Sequence, residues 1–307
     1  MQTALFIEQI LNGLQLGVML FLMAAGLTLI FGVMGLINLA HGSLYMVGAF
    51  ACAVTAAATG SFWLGLAASL AAAAAAGALV EILVIRRLYE RDHLDQVLAT
   101  FALILIFSEG TRWMFGSFPL YLDIPPLLQG TVSLPGGSRY QLYRLAIIGV
   151  GIAVAVALFL LISKTRLGMR IRAGESDREM IGALGVDIRT LYTVVFALGA
   201  ALAGLAGAMV GALQSVQVGM GEPVLILAFV VIVIGGIGSI KGALIGAVIV
   251  GVTDTMGRFL LPQLFGLVMP PSQAGLVGGA LASMLIYIVM AAVLAVRPQG
   301  LFPAAKG

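Results

Sequence analysis

The chain has 307 residues, of which 61% are hydrophobic and only 9% charged, with a formal net charge of +3. A soluble domain of this length carries about a quarter charged residues, so a water-soluble globule is excluded. The single cysteine, Cys52, excludes an intramolecular disulfide, no Cys/His spacing suggests a metal site, and nothing in the charge pattern points to nucleic acid.

The opening residues, "MQTALFIEQILNGLQLGVMLFLM", have no basic leading region and no evident small-residue cleavage site. They read as a first spanning helix rather than a removed signal peptide. Apolar segments recur near 5–33, 41–59, 61–85, 95–115, 141–162, 191–213, 223–238, 240–261 and 273–296. A bilayer needs roughly 20 apolar residues per crossing. The expected fold is therefore all-α, a polytopic membrane helix bundle of one domain over 1–307 with eight or nine transmembrane segments. The count stays open at two places. The first two segments are joined by a polar stretch, and 223–238 is short and ends in "GGIGSIKG", which reads as a broken or re-entrant helix.

That polar stretch, "GLINLAHGSLYMVGAF", carries Asn38, His41, Ser43 and Tyr45 where hydrocarbon favours leucine. Polar side chains beside glycine-freed backbone are what a translocation pathway in a bundle needs. The alternative is local: Asn38 and His41 bond neighbouring helices or a helix break, and the Ser43 hydroxyl bonds its own helix.

Basic residues set the sidedness. Arg86, Arg87, Arg91, Lys164, Arg166, Arg170, Arg172, Arg178, Arg189, Lys241, Arg297 and Lys306 fall on one side of a nine-crossing bundle, against Arg112, Arg139, Arg144 and Arg258 on the other. The positive-inside rule makes the first side cytoplasmic, with the N-terminus outside and the C-terminus inside. The Pro- and Gly-rich connection 117–140 is then a periplasmic loop, expected as a compact irregular lid rather than a further helix. The charged connection 163–190 is cytoplasmic. Within it "ESDREMIGALG" reads as a short helix with Ser176 as its cap and Gly185 as its stop.

Gly199, Ala203, Gly207 and Gly211 recur every four residues, and Gly242 and Gly246 repeat the spacing. Such stripes let helix backbones approach closely in lipid. No G-x-x-x-x-G-K-[ST], H-E-x-x-H or G-x-S-x-G occurs, so no catalytic residue is assigned and ATP is not expected on this chain. The charges inside apolar segments, Glu8, Glu81, Glu109, Arg112, Asp254 and Arg258, lie mostly near segment ends. A stand-alone ion-coupled secondary transporter, the rival reading, would favour carboxylates deep in the membrane.

"GLTLIFGVMGLINLAHGSLYMVGAF", "TFALILIFSEGTRWMFG", "GGIGSIKGALIGAVIVG" and "RPQGLF" together resemble the LivH-type permease of branched-chain amino acid ATP-binding-cassette importers. The resemblance runs from about Gly26 to Phe302, with the motifs in the same order. The 163–190 segment is similar to the EAA-type coupling loop of such permeases, with Glu179 and Gly185 at its Glu and Gly positions and Gly182 between. Met180 and Ile181 stand where that loop has alanines. The resemblance implies a homologous LivM-type permease, two cytoplasmic ATPase subunits that hold the ATP, and a periplasmic substrate-binding protein. It implies a small amino-acid-like substrate: leucine, isoleucine or valine, or, as in relatives, urea or short amides. It also implies the bacterial inner membrane.

Overall fold

A computed structural model describes residues 2–135 and 137–303, so the sidedness expectation for Lys306 lies outside the described residues. Among the described residues there are eleven α-helices: α1 (Gln2–Met34), α2 (His41–Thr59), α3 (Phe62–Leu83), α4 (His93–Phe115), α5 (Leu142–Lys164), α6 (Arg166–Ser176), α7 (Arg178–Ala183), α8 (Ile188–Gly211), α9 (Gly221–Gly235), α10 (Ile240–Phe265) and α11 (Pro271–Val296). Eight of them are long and apolar enough to cross a membrane, so the protein is a multi-pass helical bundle. The ninth apolar helix, α9, has 15 residues. At 1.5 Å per residue it is about 22 Å long, short of a hydrocarbon core of about 30 Å.

Glycine and short polar side chains punctuate the helices. Gly35 and Gly60 take left-handed conformations (φ +67° each) and end α1 and α2. The hydroxyls of Ser61, Thr165 and Ser239 accept backbone N–H groups at the starts of α3, α6 and α10. These bonds satisfy donors that a helix N-terminus otherwise leaves unpaired.

The central helices are α1 and α8, whose most apolar stretches are 83% and 72% buried, against 17% and 11% for the peripheral α5 and α11. Small residues make the central contacts. A Cβ on Gly199 would meet the Gly26 carbonyl and Ile30, and one on Gly48 would meet the Gly204 backbone. One on Gly207 would meet the backbone of Tyr45 and Ala49, while Gly235 meets Gly242 and Gly246 meets Val231. Ala203 is fully buried. Gly211 faces the side chains of Val216 and Leu122 instead of a helix backbone.

The 117–140 connection departs slightly from an all-α fold. It holds a 3-10 turn at Pro126–Leu128 and a two-stranded antiparallel ribbon, β1 (Thr131–Ser133) with β2 (Arg139–Gln141), in which Val132 pairs with Tyr140. Tyr140 donates to Asn12 Oδ1 (3.2 Å), and Arg144 donates to Asn12 and Gln15 (3.1 Å each), which fixes this loop to the early part of α1. Leu120 and Val216 exchange backbone hydrogen bonds of 2.8 Å, tying the same loop to the segment between α8 and α9.

Candidate functional site: two helices that begin inside the bundle

After Gly35 stops α1, the chain does not leave the bundle. Asn38 Oδ1 accepts the Ala40 N–H (3.0 Å) and Asn38 O accepts the His41 N–H (3.3 Å), so Asn38 turns the chain into α2. His41 lies against Gly26, whose Cβ would come within 2.9 Å of His41 Nε2. Gly26 is eight residues back from the end of α1, about 12 Å along its axis. The start of α2 is therefore sunk well inside the apolar belt. Residue Gly42 then meets the backbone of Gly221, the first residue of α9, with no room for a Cβ on either. Two helices thus begin at one interior depth, α2 running to the 117–140 end and α9 to the opposite end. Each brings the positive end of its dipole there.

The four sequence-selected polar residues all belong to this junction. Asn38 and His41 are 0% exposed, Tyr45 1% and Ser43 4%. Among the described residues, Asn38 Nδ2, Tyr45 Oη and Thr28 Oγ1 have no hydrogen-bond partner, and the His41 ring has only the Met23 backbone to bond to, outside good hydrogen-bond geometry. A buried polar atom left so costs about 1–3 kcal/mol, and native interiors keep few of them. All four lie inside this chain's own bundle and not on its surface.

Sequence reasoning missed the polar surface beside this junction. Gln214 and Gln217 in the connection between α8 and α9 are exposed, as is Glu222, which follows the Gly221 that meets Gly42. The stretch "LQSVQVGMGEP" between two apolar segments reads as an ordinary outer connection, and only the Gly42–Gly221 contact reveals its depth.

The other end of the bundle carries a buried carboxylate, Glu81, with a fully buried side chain. Arg86 donates to both of its oxygens (3.2 and 2.9 Å), the Tyr89 hydroxyl to Oε1 (2.8 Å) and the Thr193 hydroxyl to Oε2 (2.6 Å). Burial and the bond to Glu81 push the Tyr89 phenol well above its usual pKa. Tyr89 also reaches Met34 Sδ and stacks edge-on against Tyr192 (5.0 Å). The cluster joins the ends of α1 and α3 to the start of α8.

Directly before α8 stands an elbow of two short helices, α6 and α7. The sequence expectation of one helix capped by Ser176 is corrected here: Ser176 ends α6, and Asp177 starts α7 by accepting the N–H groups of Glu179 and Met180 (3.0 and 2.9 Å). Asp is the stronger acceptor, and its carboxylate suits the helix dipole. Gly185 follows with φ +84° and nothing within 4 Å of a built Cβ. Glu179, Met180 and Leu184 are exposed, and Gly182 has only Ile188 near its Cβ position, at 3.7 Å. Asp187 caps α8, its carboxyl held below the usual range by the Thr190 hydroxyl.

Residues 9–294 match the family described as branched-chain amino acid transport system / permease component. The chain is 30% identical over 266 residues to the high-affinity branched-chain amino acid transport system permease protein BraD of Pseudomonas aeruginosa, covering 82% of this chain and 86% of the relative. It is 29% identical over 272 residues to LivH of Escherichia coli K12, at 83% and 87% coverage. It is 27% identical over 293 residues to a protein of Methanocaldococcus jannaschii named "Probable branched-chain amino acid transport permease protein LivH", at 92% and 88%.

Proposed function

Because the chain belongs to the family of permease components of branched-chain amino acid transport systems, we propose that it is the membrane subunit of an ATP-binding-cassette importer. Its cargo is a branched-chain amino acid or a related small polar compound such as urea or a short amide. The reading includes a LivM-type partner permease, two ATPase subunits that bind the ATP, and a periplasmic binding protein. The observation that carries the mechanical part is the exposed α6–α7 elbow, which leads straight into the most buried contacts of α8. A motor pressing there acts on the helix that crosses α2 at Gly204 and Gly207, and so on the interior junction at His41 and Gly221. The partner permease covers the face with Gln214, Gln217 and Glu222, since an exposed carboxylate at that depth is costly against hydrocarbon. Asn38, His41, Ser43 and Tyr45 shape the path from behind that face.

The test is reconstitution with and without the two ATPases. Uptake requires ATP and survives an uncoupler; uptake that collapses with the uncoupler and ignores ATP would establish the ion-coupled reading instead. In the same vesicles His41→Ala and Asn38→Leu lower uptake about tenfold while the protein still inserts. The warrant is local: Asn38→Leu leaves the Ala40 N–H without its acceptor, a loss of about 1–3 kcal/mol, and His41→Ala opens a void against Gly26 at the same turn. Normal transport by both variants would remove the junction from the pathway.

In this reading the end with Arg86, Arg170, Arg172, Lys241 and Arg297 is cytoplasmic, in the bacterial inner membrane, and the N-terminus is periplasmic. Exposed Gln299 lies at that end. A Gln299→Cys substitution in a Cys52→Ser background resists an impermeant thiol reagent in intact cells and reacts in inverted vesicles. Labelling from outside would reverse the orientation.

A further inference from the structure

At the arginine-rich end a cavity of about 380 Å³ opens between α1, α5, α6 and the start of α10. Two cations reach it. The Lys241 ammonium stands 5.8 Å from the centre of the Phe159 ring, and the Arg172 guanidinium donates to the Ile162 carbonyl. Among the described residues neither forms an ion pair. The start of α10 adds its dipole, with the Ser239 hydroxyl beside it. The rest of the wall is mostly apolar, with Phe159, Ile162 and Ile240 beside the polar Thr28, Ser163 and Glu175, and Phe159 lies on peripheral α5 with 51% of its surface exposed. Two unpaired cations above an apolar wall at the bilayer edge match a headgroup with one acyl chain beneath it.

We propose that this cavity binds an anionic phospholipid, its phosphate between Lys241 and Arg172 and a chain along Phe159. One further residue decides which phosphate fits. Glu175 also lines the cavity, and partial desolvation raises its carboxyl above the usual carboxylate pKa. Any negative charge it keeps repels a second charge on the ligand. A singly charged phosphodiester is therefore favoured over free inorganic phosphate, of which a large share carries a second charge near neutral pH. The lipid bridges α6 to α5 and α10, so membrane charge stiffens the base of the elbow.

The test uses the full chain in phosphatidylcholine vesicles doped with photoreactive phosphatidylglycerol, with the label mapped by peptide analysis. Label falls on the peptides around Phe159 and Arg172. Lys241→Gln and Arg172→Gln each lower it about fivefold, the factor for one cation near an anionic surface. Glu175→Gln raises it, a change of opposite sign that misfolding cannot imitate. Arg139→Gln, on the ribbon at the far end of the bundle, leaves it unchanged. Inorganic phosphate does not compete against the wild type. Equal labelling by a photoreactive phosphatidylcholine, indifference to both cation substitutions, or competition by inorganic phosphate would each overturn the lipid assignment.

Discussion

Gly207→Val yields protein that inserts but does not hold a stable bundle. A Cβ at 207 would strike the Tyr45 carbonyl and the Ala49 nitrogen, which are backbone atoms of α2 and cannot swing aside as a side chain would. Relief requires α2 to move away from α8, and that opens the neighbouring Gly48–Gly204 contact as well. Over-packing of this kind costs about 3 kcal/mol or more. The displacement also drags His41 and Gly42 away from Gly26 and Gly221, so any remaining folded protein has a disturbed junction. Gly207→Ala lies between the two, because the first carbon already makes the clash. Gly279→Ala on α11, where nothing lies within 4 Å, serves as the neutral comparison. Thermal unfolding of the purified variants in detergent decides the matter: a wild-type Tm for Gly207→Val would mean that α2 and α8 are not locked at this crossing.

The second large effect lies outside the membrane. Gly185→Val and Glu179→Lys are expected to separate ATP hydrolysis from uptake. Space is not the issue at Gly185, where a side chain would meet nothing, but its φ of +84° is. A β-branched residue held there costs about 1–2 kcal/mol, enough to redirect the exit from a helix of only six residues. Uptake falls roughly tenfold by the same free energy, and ATPase activity stops responding to substrate-loaded binding protein. Gly185→Asn, which tolerates the left-handed conformation better, restores most of both. Glu179→Lys leaves the backbone alone and reverses charge on the exposed face of α7, so it tests the contact rather than the turn. If both variants give wild-type uptake and wild-type stimulation, the elbow has no role in coupling.

How far the sequence carried differs by element. The long spans were legible because apolar length is a local property, and α9 was marked as anomalous by its shortness and its closing glycines. Gly185 could be read as punctuation because glycine alone relieves a left-handed turn. The interior junction could not be read. Its defining contacts, Gly26 with His41 and Gly42 with Gly221, join residues far apart in the chain, and no local pattern distinguishes them from other glycines among forty. Glu81 was visible only as a charge near a segment end; its four hydrogen bonds come from three residues, Arg86 and Tyr89 in the connection after α3 and Thr193 on α8. The split of the elbow into α6 and α7 turned on one residue, Asp177 standing where Ser176 was expected to cap.

The close of α9 depends on chain that is made much later. The Leu301 and Phe302 N–H groups donate to the carbonyls of Ile234 and Gly235 (2.9 and 2.8 Å), and Gly300 lies against Gly236. Those carbonyls are among the last four of the helix, which its own backbone cannot satisfy. During synthesis α9 therefore enters the bilayer too short to span it and with an unfinished end, and it stays so until α10 and α11 have been threaded. The end of α9 is thus completed by residues that follow α11, and a chain without them leaves the Ile234 and Gly235 carbonyls without these donors.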